Sequence, residues 1–509
     1  MPANASKPSR YLEVERKFDV VDSAVSPSFD GIAAVARVEK SPPQSLDATY
    51  FDTPGQDLAR NKITLRRRTG GSDAGWHLKL PAGPDARTEV RMPLDAPEGV
   101  PGGGVVPGEL LDVVLAIVRD RPLEPVARIS TERETQVLYG VDGTALAEFS
   151  NDHVTAWAIG ASPDEQPVEQ EWREWELELS ASERTTNQAA DAELLTRLAN
   201  RLLDAGAAPA GHASKLARVL GPAVQPNDTR PPADPVQRAV AEQVGALLVW
   251  DRAVRADADD AVHQMRVTIR KIRSLLGESP EFVSSADAWI LDELRELGNV
   301  LGGARDAEVL GARYRLALDA LPPELVRGRV RERLVDGARR RYQAGLRRSL
   351  AAMRSQRYFR LLDALDAVVA HPPAAAAGRE APPVTIDAAY QKVRRGAKAA
   401  ARAPEEHRDE ALHRIRKRAK RLRYTAAATG AAEVSERAKA IQTLLGDHQD
   451  SVVSQAHLLQ QAAAAHAAGE DTFTYGLLYQ QEVDLAKMCE RQVDDALRQL
   501  DKSVRKARR

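Results

Sequence analysis

The decapeptide Tyr11–Val20, YLEVERKFDV, sets Glu13, Glu15 and Lys17 two residues apart, alternating with Val14, Arg16 and Phe18. In a β-strand, residues two apart share a face, so two carboxylates and an ammonium stand in one row. A buried sheet face tolerates such a row only when something binds it, because unpaired buried charge is costly. Two carboxylates hold a divalent cation, and a neighbouring Lys holds a phosphate oxygen. The alternation recurs downstream. Arg66 and Arg68 share a face in LRRR, Lys79 lies in GWHLKLP, and Arg87, Glu89 and Arg91 alternate in RTEVR. Arg128 and Arg133 fall in the strand region after 126, and Glu174, Glu176 and Glu178 alternate in EWELEL. One such row reads as an exposed strand face. A series of them is what a closed barrel with a charged lumen requires.

The elements that must carry these rows are short strands separated by Gly and Pro clusters at 70–75, 81–84 and 97–108. The strands are expected at Leu12–Val20, Leu46–Asp52, Ile63–Thr69, Gly75–Pro81, Thr88–Leu94, Ala127–Leu138, Thr144–Phe149 and Trp172–Leu179. Helices are expected at Leu110–Arg119 and Ala190–Ala205. Many antiparallel strands in one domain argue for a barrel or tunnel, which leaves no open sheet edge.

At 509 residues the chain exceeds a single core. Its net charge of −1 conceals an asymmetry. Residues 1–220 carry 24 Lys and Arg against 34 Asp and Glu, a net of −10; the remainder carries 48 against 39, a net of +9. The second part is therefore expected to face a polyanion. Cys489 is the only cysteine, which excludes a disulfide framework and a cysteine-based zinc site. The N-terminus lacks an apolar signal core and no stretch of about 18 apolar residues occurs, so a cytoplasmic location without a membrane span is expected.

A Pro-rich linker at 221–232 divides the chain, and the part beyond it is Ala-, Leu- and Arg-rich with helical periodicity. A second break, HPPAAAAGREAPP at 371–383, splits this part into repeats of about 233–370 and 384–505. The first repeat carries His263, Arg266, Arg270, Lys271 and Arg273; the second carries His413, Arg416, Lys420, Arg421 and Arg423 at the same offsets. Each later carries Leu-Gly-x-x-x-Asp, at Leu301–Asp306 and Leu445–Asp450. The fold class is thus α+β multidomain: an N-terminal eight-stranded antiparallel β tunnel with flanking helices, then an all-α duplicated helical bundle.

The series ExExK, LRxR, strand Lys, RxE and late ExE, closed by Ser214-Lys215 and a short helix, resembles the CYTH family of triphosphate tunnel metalloenzymes over about 8–220. The resemblance implies a tunnel that binds a linear triphosphate. The family includes inorganic and thiamine triphosphatases, adenylate cyclases and RNA triphosphatases. It implies Glu13, Glu15 and Lys17 as the catalytic group, with Mg²⁺ or Mn²⁺ as cofactor. A triphosphate carries about four charges, more than one Lys offsets. Lys17, Arg66, Arg68, Lys79, Arg87, Arg128, Arg133 and Lys215 form the expected basic lining. Glu13, Glu15, Glu89, Glu174, Glu176 and Glu178 form the expected metal-binding side, with Glu148 a further candidate. His77 is expected to be structural or at the rim.

On a helix, offsets of 0, 3, 7 and 10 fall within about 80° of arc, so each set of basic residues forms a stripe. An exposed helix face normally mixes signs, and these offsets hold no acid. The pattern HxxRxxxRKxR and its copy resemble a CHAD domain over about 233–505, which implies binding of inorganic polyphosphate. Lys417, Arg305, Lys392, Arg394, Arg395 and Lys398 are additional expected donors. Cations around each His argue against a metal there. Nucleic acid is disfavoured, because the helical part has little aromatic interleaving and no nucleic-acid module. The two resemblances together point to hydrolysis of inorganic triphosphate beside polyphosphate storage, with polyphosphate granules as a possible location. A non-catalytic polyphosphate-binding protein, a nucleotide or thiamine triphosphatase and an adenylate cyclase are the alternatives.

Overall fold

A computed structural model of the chain describes residues 8–83, 85–94, 105–159, 168–180, 188–221, 234–278, 288–370 and 385–508. Most of the expected linker and the break at 371–383 lie outside them.

The N-terminal strands are β1 (Ser9–Val20), β2 (Arg37–Lys40), β3 (Gln44–Asp52), β4 (Thr64–Thr69), β5 (Gly75–Pro81), β6 (Ala86–Met92), β7 (Glu124–Tyr139), β8 (Ala145–Ala158), β9 (Glu169–Leu179) and β10 (Ala208–Pro209). Eight of them close into an antiparallel barrel in the order β1-β6-β5-β4-β3-β7-β8-β9, and β9 pairs back onto β1. β2 and β10 are short additions on β7 and β1. The helices α1 (Asp57–Arg60), α2 (Gly108–Val118), α3 (Gln188–Asp204) and α4 (Lys215–Leu220) flank the barrel.

Local chemistry fixes the joints. Asp52, fully buried at the end of β3, accepts backbone hydrogen bonds from Thr53, Leu58 and Ala59 at 2.7–2.9 Å and so caps α1. Gly70, at φ +79°, turns β4 toward β5; a Cβ there would meet the Ser45 carbonyl oxygen at 2.1 Å, so the position requires glycine. Ser214 N-caps α4 by accepting from the Ala217 amide at 3.1 Å, which fixes Lys215 in the first turn.

The expected strands are all present, and two differ in extent or number. β8 runs nine residues past its expected end at Phe149. Ser150-Asn151-Asp152 reads as a turn, yet Asn151 is buried and held by Arg173 and Trp175 at 2.8 and 3.1 Å. β2 carried no sequence signal.

The region beyond 234 is all helical: α5 (Pro235–Arg255), α6 (Ala261–Glu278), α7 (Trp289–Asp319), α8 (Gly337–Ala352), α9 (Gln356–Ala370), α10 (Ile386–Ala400), α11 (Glu405–Ala428), α12 (Ala432–Ala467) and α13 (Phe473–Ala507). A π-helical turn, Glu332–Asp336, precedes α8. The duplication extends to the core. Val262, Met265, Ile269, Ile272 and Leu276 of α6 are buried, as are Leu412, Ile415, Ala419, Leu422 and Ala426 of α11, each pair 150 positions apart like the two histidines. No described helix is long and apolar enough to cross a membrane.

The chain forms two compact units. The first comprises Met1–Ser279, Ser285–Leu294 and Ala352–His371; the second comprises Pro280–Ser284, Arg295–Ala351 and Pro372–Arg509. Within the first, α2 packs on α5 and α5 on both α6 and α9. Arg119, 7% exposed at the end of α2, binds Asp363 and Asp366 of α9. Asp112 pairs with Arg354, and Gln356 donates to Asp120 at 2.8 Å. The apolar residues of α2 are buried almost all round, between barrel and helices.

Candidate active site

The lumen of the barrel is a cavity of about 430 Å³. Strand alternation decides which side chains enter it. Glu13, Glu15 and Lys17 project inward from β1, Arg66 and Arg68 from β4, Lys79 from β5, Arg87 from β6, Arg133 from β7, Glu148 from β8, Glu176 and Glu178 from β9, and Lys215 from α4. Apolar side chains fill one end, where Leu216 and Val219 of α4 pack with Ala48, Ile129 and Trp172.

Arg128 is a correction. Its side chain is 60% exposed and lies outside the barrel, paired with Asp47 at 2.6 Å and set over the Trp157 ring. Arg128 and Arg133 are five residues apart, so one continuous strand must send them to opposite faces. Glu89 and Glu174 are buried but stand behind the cavity lining. Glu89 contacts His77 Nδ1 at 2.8 Å and Arg91. His77 is buried between that carboxylate and the Asp73 carbonyl, a structural position.

Acidic residues of the barrel fall into two groups. Asp152, Glu174 and Glu176 present oxygens within 4.8 Å of one another and could hold a metal ion. In this structure Lys215 Nζ donates to Glu174 and Glu176 at 2.7 and 2.8 Å and is ion-paired with Asp152 at 2.8 Å. Arg133 adds bonds to Asp152 and Glu176 at 2.6 Å. This group is charge-satisfied, and burial is outweighed by Lys17, Lys215 and Arg133 to hold Glu176 well below the usual carboxylate range.

In the second group Glu178 is the unsatisfied member. In the strand register Glu178 stands opposite Glu15 on one side and Glu148 on the other. Among the described residues Glu178 has no ion-pair partner. Burial, then the charges of Glu13, Glu15 and Glu148, push its pKa up to about 7 against the pull of Lys79. Glu13, 3% exposed, takes Lys79 at 2.6 Å; burial still raises its pKa. Glu15 is buried too, but Lys17 at 3.0 Å and Lys79 draw it down to about 2.

The opposite wall is basic. In a ring of eight, β4 lies four strands from β9 in either direction, so Arg66 and Arg68 face the Glu176–Glu178 row. Arg66 donates to the Tyr50 hydroxyl at 3.2 Å and Arg68 binds Asp73, yet the Nε atoms of both are buried without a partner. Burial, reinforced by Arg66 and Arg133, pushes Arg68 down to about 9. Such donors await an acceptor. Sequence reasoning left out Arg91, Tyr50 and Asp152. Arg91 was legible from its face shared with Arg87 and Glu89; Asp152 was hidden by the turn-like Ser-Asn-Asp.

The helical stripes keep their geometry within each helix. His263, Arg266 and Arg273 of α6 are half-buried, and Arg270 and Lys271 are exposed; His413, Arg416, Lys420 and Arg423 of α11 are half-buried, and Lys417 and Arg421 are exposed. Gly446 of the Leu-Gly-x-x-x-Asp motif lies beside a cation: a Cβ there would stand in ordinary contact with Arg416, 3.7 Å from Nε and Nη2. Burial, then Lys417 and Arg416, lower the pKa of His413, so its ring is neutral at physiological pH.

A closed antiparallel barrel with a charged lumen, followed by a duplicated helical bundle with cationic stripes, defines the class: a β tunnel joined to an all-helical region. Residues 12–205 match the CYTH domain family and residues 238–459 match the CHAD domain family. Uncharacterized proteins from Mycobacterium tuberculosis strains CDC 1551 / Oshkosh and ATCC 25618 / H37Rv are each 71% identical along the whole of both chains. The chain belongs to this family of proteins that join a CYTH domain to a CHAD domain. Similar solved structures include PptA from Streptomyces chartreusis (17% identity, TM-score 0.43, 52% of this chain and 98% of that one). The CHAD domain from the plant Ricinus communis is another (23% identity, TM-score 0.37, 52% and 90%).

Proposed function

We propose that the barrel hydrolyses a linear inorganic triphosphate with Mg²⁺ or Mn²⁺, and that the CHAD domain holds inorganic polyphosphate. The observation that carries this reading is the division of the lumen. Buried Nε donors without partners stand on β4, and an unpaired carboxylate, Glu178 of β9, stands between Glu15 of β1 and Glu148 of β8.

The donor set fits a hard divalent cation, which takes carboxylate oxygens. Glu13, Glu15, Glu178 and Glu148 would hold it; Asp152, Glu174 and Glu176 are already occupied by Lys215. When bound, such a cation neutralises phosphoryl charge and lowers the pKa of bound water. Arg66 and Arg68 bind oxygens of the chain through their free Nε donors, and Lys79, Arg87 and Arg133 extend the cationic surface along the lumen. Lys17, bonded to Glu15 and Glu176, stands within the acidic wall and orients the phosphoryl group against the acids. Water adds to a terminal phosphorus, the bridging P–O bond breaks, and pyrophosphate leaves with its charge held by the arginine wall.

Tyr50 is the one aromatic side chain among the described lining residues, and its hydroxyl is engaged by Arg66. A lumen without a platform for a base favours an inorganic substrate over a nucleotide.

The test is phosphate release from tripolyphosphate, ATP, thiamine triphosphate and long polyphosphate with Mg²⁺ and Mn²⁺. Tripolyphosphate is expected to be turned over fastest. Glu13→Gln and Glu15→Gln are expected to cut turnover by about 100-fold or more while the fold persists, since a neutral amide keeps the shape and binds the cation poorly. Unchanged turnover at saturating metal would remove these residues from the site.

A further inference from the structure

The second compact unit holds a cationic cavity outside both basic stripes. It has a volume of about 350 Å³ and is lined by Arg333, Gly337, Arg340, Arg341, Ala344 and Gln461. Three features of the chain converge there. The π-helical turn Glu332–Asp336 runs into Gly337, and such turns are frequent at functional sites. Gly337 stands on the same helix face as Arg340 and Arg341, three and four residues on. A Cβ on Gly337 would lie 3.8 Å from Arg340 Nη2 and 3.9 Å from Arg341 Nη1, so both guanidiniums gather over the glycine.

Their charge is not balanced locally. Arg333 is engaged by Glu470 through two bonds of 2.7 and 2.8 Å. Arg340 and Arg341 have no carboxylate within ion-pair distance among the described residues, and Arg341 Nη2 is buried with no hydrogen-bond partner. A second orphan donor stands nearby. His457 is one turn before Gln461 on α12, and its ring stacks on Tyr314 with centroids 5.5 Å apart. The Tyr314 hydroxyl lies 2.9 Å from Nδ1. A hydroxyl donated to Nδ1 leaves the ring proton on Nε2, and Nε2 is buried without a partner. Burial and the neighbouring Arg341 push His457 down to about 4, so the ring is neutral and Nε2–H is a donor at physiological pH.

We infer that this cavity is a second, independent anion site that takes a single tetrahedral phosphate group between Arg340 and Arg341, beside the half-buried His457 ring. Gathering two guanidiniums and leaving donors unpaired is unfavourable without an acceptor; a phosphate supplies several oxygens in the geometry that guanidinium forks match. The group is either free orthophosphate or one unit of a phosphate chain. The inference does not rest on the tunnel chemistry.

The test uses the full-length protein with orthophosphate as probe, then tripolyphosphate, and follows the His457 ring by NMR, assigned with His457→Gln. Orthophosphate is expected to shift the His457 signals saturably. Arg340→Gln/Arg341→Gln is expected to weaken that response at least tenfold, and Gly337→Leu to block it by filling the cradle. Lys17→Gln in the tunnel is expected to leave it unchanged. A response to tripolyphosphate alone assigns the site to chain units and also supports it. No His457 response in the wild-type protein to either anion up to about 10 mM, the range of very weak binding, means that the cavity holds water only and overturns the inference. A response that survives both the double variant and Gly337→Leu overturns it as well.

Discussion

Glu178 faces Glu15 across the β1–β9 pairing, and among the described residues Glu178 has no ion-pair partner of its own. Like charges directly opposite on neighbouring strands destabilise a sheet, and Glu148 adds a third carboxylate to the same row. The barrel keeps this arrangement inside its lumen, where a divalent cation would relieve it.

The first prediction follows from the pKa of Glu178, raised from 4.5 to about 7. A carboxyl whose folded pKa exceeds its unfolded value contributes stability that is full below about pH 4.5 and lost as pH rises through about 7. In chelator-treated protein, Glu178→Gln is therefore expected to match wild type at pH 5 and to exceed it by roughly 1–3 kcal/mol at pH 8. Mg²⁺ or Mn²⁺ should stabilise wild type at pH 8 more than the variant. Denaturant titrations at both pH values, with and without metal, measure this; a variant less stable than wild type at pH 8 without metal contradicts it.

The Lys215 ammonium is ion-paired with Asp152, Glu174 and Glu176 together. Lys215→Met leaves these acids buried and short of a cation, and removing one partner of a buried ion cluster costs about 3–5 kcal/mol. Adding Glu174→Gln should recover part of the loss. Equilibrium unfolding of the single and double variants decides it. If Lys215→Met is neutral, the ammonium does not hold the trio.

Arg119 ties the end of α2 to Asp363 and Asp366 of α9. Arg119→Ala removes a mostly buried guanidinium with two charged partners and is expected to lower stability by about 2–4 kcal/mol. Amide exchange across 110–118 should quicken in this variant. A fragment ending at 221 loses the helices that cover α2 and should bind a hydrophobic dye or aggregate. A soluble fragment with wild-type exchange in α2 would show that this contact carries no stability.

The cationic stripes of α6 and α11 predict a polyphosphate phenotype. Reversing charge at Arg266 and Arg270, or at Lys420 and Arg423, should each weaken polyphosphate binding about tenfold or more. Affinity should fall steeply with salt, as Lys and Arg displace counterions from a polyanion. Calorimetry with a chain of defined length tests both. Equal binding of duplex DNA or RNA of the same charge would make the stripes a generic cationic surface.

The strand rows of the barrel were legible because a strand has a strict period of two, and charge on alternate residues betrays a lined interior. Seven of the eight basic residues assigned to the lumen enter it. Arg128 does not, because it stands five residues before Arg133 and one continuous strand sends the two to opposite faces. The duplication was legible for the same kind of reason: a fixed offset of 150 positions recurs in both charge and core.

Other features were decided by tertiary structure. Which carboxylates are free and which are neutralised depends on Lys215, delivered to β8 and β9 from a helix that follows β9 by 36 residues in sequence. Ser150-Asn151-Asp152 became strand because buried Arg173 and Trp175 supply partners that local propensity cannot register. The ion pair between Arg119, just after α2, and Asp363 of α9 joins residues 244 positions apart. Periodicity fixes the face on which a side chain stands. The partner that meets it is set by closure of the barrel and packing of distant helices, and those contacts determine the charge state of the site.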